Sequence, residues 1–313
     1  MSPLPLSERR SNGASTGARV ALLAMLLLPV PALAQEVALS FDDGLDPRET
    51  AQAAAWNQAI LTALAAADVH AILFACGKRV DSPQGLELVR AWGRAGHEIA
   101  NHTYTHPNFN SPGTSLAAFT ADVGRDAALL QGLPGWTPRL RFPYLKEGDT
   151  PDKRDGMRRW LQEHGYASGA VSIDASDWYY DERYAHWRAR HPREDPARFR
   201  QAYLEHLWDR ARYYDALSQR VLGRSAAYVL LLHTRRINAE FLPDVIAMFR
   251  ARGWRIISPA QAYADPLYSM QPATLPAGES ILWALAAQAG VQGLRYPAED
   301  EVYEKPILDR LGF

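Results

Sequence analysis

Seven short apolar runs alternate with amphipathic stretches along this chain, and that rhythm admits few architectures. The runs are Val37–Phe41, Ala71–Cys76, Glu98–Asn101, Leu140–Phe142, Gly169–Ile173, Tyr228–Leu232 and Trp254–Ile257. Each has the length of a buried strand. Between them, Glu49–Ala67, Gln84–Ala95, Leu116–Gln131, Lys153–Glu163 and Ala239–Arg252 have helical periodicity. Strands alternating with helices imply an α/β protein with a mostly parallel sheet covered by helices. The pattern alone leaves open whether the sheet closes into a barrel.

Two regions depart from the rhythm. From residue 179 to about 223 the sequence is charged, aromatic and helical, which predicts a helical insertion between two strands. After Asp265 come Pro266, Pro272 and Pro276 and one short apolar helix around Ile281–Ala287. Residues 266–313 therefore read as a wrapping tail, with the main domain over 35–265. At the other end, Arg9, Arg10 and Arg19 precede an apolar stretch, Val20–Val30, and then Ala32-Leu33-Ala34. Basic residues, a short apolar run and an A-x-A site describe a secretory signal peptide over 1–34. The run is too short for a membrane span, so the mature chain is expected to be exported, periplasmic or extracellular, without a transmembrane segment. A formal net charge of -1 gives no basis for nucleic-acid binding. Cys76, the only cysteine, sits in an apolar run and reads as a buried structural thiol.

Five short segments carry the chemistry: Ser40-Phe41-Asp42-Asp43-Gly44, His102-Thr103-Tyr104-Thr105-His106, Arg141-Phe142-Pro143-Tyr144, Asp174-Ala175-Ser176-Asp177-Trp178 and Leu231-Leu232-His233. Asp42 and Asp43 end an apolar strand, where catalytic groups collect in parallel α/β sheets. Alone, Asp-Asp-Gly is a common turn signature. His102 and His106 are four apart, which on a helical turn puts both rings on one face. Two neutral imidazoles and one carboxylate hold a Zn²⁺-like ion and leave one position open for water. Neighbouring aspartates point different ways from an extended backbone, so one can bind metal while the other takes a proton. A buried Arg141 needs a carboxylate partner, and Asp177 is the candidate. His233, at another strand end, is placed to protonate a leaving amine or alkoxide. Tyr144, Trp178 and Leu231 would wall a pocket for an acyl methyl.

In this order the segments resemble the polysaccharide deacetylases of the NodB-homology group, carbohydrate esterase family four. The shared pattern is an Asp-Asp strand end, H-[ST]-x-x-H, R-x-P-Y, an Asp-Trp pair and L-x-H, spread over residues 36 to 265. The resemblance implies a distorted (β/α) barrel of about seven parallel strands, with the helical insertion as an addition. It implies metal-dependent removal of acetyl groups from an N- or O-acetylated polysaccharide or cell-wall glycan. Asp43, His102 and His106 would hold one divalent metal, with Zn²⁺ foremost and Co²⁺, Ni²⁺ or Mn²⁺ compatible with the same donors. Asp42 would be the general base and His233 the general acid. Arg141 would orient Asp42, and Asp177 would fix Arg141 and tune His233. The backbone N–H of Tyr144 would face the oxyanion, and Trp178 and Leu231 would line the acetyl pocket. Two alternatives keep the scaffold: an amidohydrolase acting on a small cyclic amide or imide, and a catalytically inactive glycan-binding domain. The sequence departs from the family at Leu45, where Pro is common, and at Thr234, where an acidic residue is frequent.

Overall fold

Val37 to Asp43 are buried on both faces of their strand, and the rest of the sheet is assembled around them. The computed structural model describes residues 1–4, 34–297 and 299–313. The elements in chain order are β1 (Glu36–Asp43), α1 (Ala53–Ala66), β2 (Ile72–Ala75), α2 (Gly77–Val80), α3 (Pro83–Arg94), β3 (Glu98–Asn101) and α4 (Leu116–Leu130). There follow β4 (Trp136–Leu140), β5 (Lys146–Gly148), α5 (Pro151–Glu163), β6 (Ala167–Ser168), α6 (Asp177–Arg190), α7 (Ala197–Leu222) and β7 (Ala227–His233). The chain ends with α8 (Arg236–Ala251), β8 (Arg255–Ile256), α9 (Pro259–Tyr263), β9 (Ala277–Gly278), α10 (Ile281–Gln288) and α11 (Glu301–Leu311).

Six strands run in the order β6-β4-β3-β2-β1-β7, and β8 pairs with the start of β1. All these pairings are parallel. A parallel bridge between Ile173 and Leu230 joins the segment after β6 to β7, so the two ends of the sheet meet. The result is the expected distorted (β/α) barrel, with α6 and α7 in the position of the helical insertion. The core packs β1 and β7 against α1 and α8, with Phe41, Ile60, Leu230, Leu242 and Phe249 fully buried. Aromatic residues of α6 and α7 join the same core, including Tyr184, Phe199 and Tyr203. No helix among the described residues is long and apolar enough to cross a membrane. The expected signal peptide lies, save for residues 1–4 and 34, outside the described residues.

Local differences from the sequence reading have local causes. Two helices begin earlier than periodicity indicates, because Ser82-Pro83 and Thr150-Pro151 supply an N-cap hydroxyl followed by Pro at the first turn. The strand expected at Leu140–Phe142 is instead Trp136–Leu140, so Arg141 lies at its exit. Regular pairing of the next strand covers only Ala167–Ser168, and Gly169 follows in close contact with Phe74 and the Leu140 carbonyl. A Cβ at Gly169 would lie 2.6 Å from the Phe74 ring, which accounts for glycine there. The antiparallel β5–β9 pair and α11 go beyond the sequence reading, since strands of three and two residues and a mixed-polarity helix carry little periodic signal.

Candidate active site

The carboxyl ends of β1, β2, β3 and β7 open into a cleft of about 470 Å³. Of the residues singled out from sequence, Asp42, Asp43, His102, His106, Tyr144, Trp178, Leu231 and His233 line it. Arg141 and Asp177 are buried behind that surface.

β1 places Asp42 beside Phe74 on one neighbour and His233 on the other. Asp43 then turns out of the strand at φ 82°, a left-handed conformation costly for a non-glycine residue. Eight described non-glycine residues have positive φ, and five of them, Asp43, His106, Tyr144, Leu145 and Glu279, line this cleft. Strain of this kind gathers where geometry serves function.

His102 and His106 do not sit on a helical turn, contrary to the expectation from their spacing. Thr103 and His106 have φ of 64° and 59°, and the segment bends back on itself. Side chains impose the bend: Asn101 Oδ1 accepts from the Thr103 N–H, Thr103 Oγ1 from the His106 N–H, and Asp122 from the Thr105 N–H. The two rings nevertheless meet edge to face, 4.9 Å between centroids.

One ligand atom from each of Asp43, His102 and His106 lies within 4.8 Å of the other two. His102 Nδ1 is 2.9 Å from the Arg141 carbonyl, which can only accept, so Nδ1 carries the proton and Nε2 is free to ligate. His106 Nε2 is 3.6 Å from Asp43 Oδ1, a buried oxygen with no hydrogen-bond donor. Burial depresses both imidazoles to about 4, which keeps them neutral. Burial acts to raise Asp43 as well, but His233, Arg79 and the two imidazoles outweigh it and hold the carboxyl below the usual range. An ionised carboxylate with an orphaned oxygen and two neutral imidazoles fits a divalent cation.

Asp42 accepts from Arg141 at 3.0 and 3.2 Å. Burial pushes its carboxyl up to about 6, against the pull of Arg141 and His233. The carboxylate partner of Arg141 is thus Asp42, and the expected Asp177 contact is not made. Arg141 is held instead by Ser40 Oγ at 3.1 Å, the Tyr263 hydroxyl at 3.3 Å and the Gly169 carbonyl, with its guanidinium over the Phe74 ring.

Asp177 belongs to His233. Its Oδ1 is 2.6 Å from His233 Nδ1, and its Oδ2 accepts from the His233 N–H and from Asn238 Nδ2, both at 2.7 Å. Burial would depress His233, but the Asp177 carboxylate overrides it and lifts the imidazole to about 9. Asn238 is held in turn by the Tyr203 hydroxyl of α7, at 2.8 Å. Leu231 packs with Leu145 and Val171 in a small apolar cluster at the cleft wall.

Residues 30–167 match the family model described as polysaccharide deacetylase. Over that segment the chain is similar to polysaccharide deacetylases. Two curated deacetylases illustrate the relation. A peptidoglycan-N-acetylglucosamine deacetylase of Bacillus cereus is 28% identical over 144 residues, 46% of this chain and 46% of its own length. A chitooligosaccharide deacetylase of Sinorhizobium fredii is 40% identical over 152 residues, 46% of this chain and 60% of its own. The chain thus spans about half the length of the curated relatives it matches. A solved peptidoglycan N-acetylglucosamine deacetylase shares the fold at a TM-score of 0.50 and 21% identity, over 74% of this chain and 89% of that one. A pseudoenzyme from Bacillus anthracis shares it equally, with a TM-score of 0.50 and 16% identity over 74% and 66%. The shared fold therefore does not by itself decide whether a chain is active. Asp177 and His233 lie beyond the matched segment, and their pairing rests on the geometry alone.

Several residues in and around the cleft were given no role by the sequence, although Ser40 and Asp174 lie within the quoted segments. Ser40, Tyr263, Asn238 and Tyr203 brace the acid–base groups from four separate elements. Asp174, Lys146, Glu279, Glu299 and Asp300 also line the cleft, and the last three of these acids come from the C-terminal segment. Burial and Glu279 push Asp174 up to about 7, and burial with Asp174 pushes Glu299 to about 8.

Proposed function

We propose that this protein is an exported, divalent-metal-dependent deacetylase, with Zn²⁺ as its ion and an N- or O-acetylated glycan as its substrate. The observation that carries the reading is the juxtaposition of three groups in one cleft: the Asp43–His102–His106 cluster, Asp42 on Arg141, and His233 on Asp177. A bound cation would supply Lewis acidity to the acetyl carbonyl and to water. Asp42, raised by burial yet restrained by Arg141, takes the proton of the attacking water. His233, charged at neutral pH through Asp177, gives a proton to the departing amine or alkoxide. The Tyr144 N–H faces the developing oxyanion, an interaction often worth about 3 kcal/mol. Trp178 and Leu231 enclose the acetyl methyl. Export rests on the Arg-rich and apolar pattern of residues 1–34. Neither alternative, the cyclic amide hydrolase or the inactive binding domain, is favoured by any feature of the cleft.

The test is acetate release by the purified chain after chelator stripping and readdition of Zn²⁺ or Co²⁺. A panel of acetylated glycans and a small acetyl ester would serve as substrates. Metal-restored release supports the reading. Silence across the panel with the metal verified in place would sink it and return weight to a binding role.

A further inference from the structure

Arg79 and Arg235 have been given no role toward a substrate, yet both line the cleft. They arrive from opposite sides of β1: Arg79 from α2, which follows β2, and Arg235 two residues past the end of β7. Both guanidiniums converge on one atom, Asp43 Oδ2, at 3.3 and 3.7 Å. They are 39% and 35% exposed. Among the described residues, no other carboxylate lies within ion-pair distance of either. One carboxylate cannot neutralise two guanidiniums, and a cation held by Asp43 would draw on that same charge. The acids that the C-terminal segment brings to the cleft have partners elsewhere: Glu279 pairs with Lys146, Glu299 with Arg210, and Asp300 accepts from the Val302 N–H at the start of α11. The two guanidiniums therefore carry more positive charge than their one shared carboxylate offsets.

Guanidinium groups are planar donor forks that match a carboxylate two bonds at a time. Two of them, part-exposed and beside the reaction centre, make a receptor for an anion carried by the substrate. Resting on the deacetylase reading, we infer that Arg79 and Arg235 form a carboxylate-recognition pair, and that the glycan processed here is anionic, with a carboxylate on the acetylated sugar or its neighbour. The pair positions the substrate and takes no part in bond breaking.

The experiment compares an acetylated oligouronate, a neutral acetylated xylo-oligosaccharide of equal length and a small acetyl ester on the metal-loaded full chain. The oligouronate should be preferred about tenfold in kcat/KM through a lower KM, and the preference should collapse as salt is raised. Arg79→Gln with Arg235→Gln should bring the oligouronate-to-neutral ratio close to one, whereas Arg79→Lys with Arg235→Lys should retain most of it. Calorimetric binding of the deacetylated oligouronate should weaken about tenfold in the double Gln variant. No preference in the wild type, or equal losses on both substrates, would overturn the inference and leave the arginines as braces for Asp43. Failure on every substrate, ester included, would count against the deacetylase reading. In that event calorimetry alone decides the arginine pair, and no binding of the oligouronate would overturn it.

Discussion

Three imidazoles border the same cleft, and two of them refuse the proton that the third retains. His102 and His106 are pushed to about 4, whereas His233 is lifted to about 9. Burial acts in the same direction on all three, so burial is not the difference. Partners are. His102 Nδ1 meets a peptide carbonyl at 2.9 Å, but His233 Nδ1 meets the Asp177 carboxylate at 2.6 Å. A full negative charge in direct hydrogen-bond contact outweighs desolvation, and a carbonyl dipole does not. The adjacent aspartates divide in the same manner. Asp42 has one guanidinium and rises to about 6; Asp43, among His233, Arg79 and two imidazoles, stays ionised. One side of the cleft is thereby suited to hold a cation, and the other to move protons.

The sharpest way to break this division is to remove the cation side. Asp43→Ala or His102→Ala should abolish divalent-metal binding by elemental analysis and reduce acetate release to background. Full occupancy in either variant would contradict the ligand set. Asp177→Asn should act on the other side alone. It removes the charge that lifts His233, so turnover should fall about 10²- to 10⁴-fold while metal remains bound. An unchanged pH–rate profile would show that Asp177 does not set the proton affinity of His233.

A third test reads stability in chelator-treated protein. The folded His233 value, about 9, lies above its ordinary 6.5, so protonation favours the folded state. That contribution is fully present below pH 6.5 and is lost as pH rises through about 9. Urea midpoints should decline across this window in the wild type and flatten in Asp177→Asn. A parallel decline in both would assign the loss to another group. The smallest effect is expected from Tyr203→Phe, which removes the α7 hydroxyl supporting Asn238 and costs about 1 kcal/mol. Turnover should fall less than in Asp177→Asn. A kinetic loss as large would mean that the helical insertion governs the acid–base pair directly.

The alternation of apolar runs and amphipathic stretches was enough to predict the parallel sheet, because buried strands and covering helices each impose their own period on the residues. Apolar runs ending in Asp42-Asp43 and His233 likewise marked the mouth of the sheet. Spacing misled at His102 and His106: four residues apart reads as helix, but Asn101, Thr103 and Asp122 side chains capture the backbone into a bend that still joins the rings. For Arg141, the need for a carboxylate was legible and the resemblance pointed to Asp42, which meets it from the end of β1; the further contact expected from Asp177 is not made, because Asp177 opens α6 and is packed against His233.

What the sequence determined by itself was therefore the class of fold, the strand ends and the donor types, all of which follow from local periodicity and side-chain chemistry. Tertiary structure decided which acid is packed against which base, the bracing by Ser40, Tyr263, Asn238 and Tyr203, and the convergence of Arg79 and Arg235 on Asp43. Those contacts join residues as far apart as Asp43 and Arg235 or Arg210 and Glu299. Periodicity describes a chain's neighbours along the backbone, and proton affinity is set by neighbours in space.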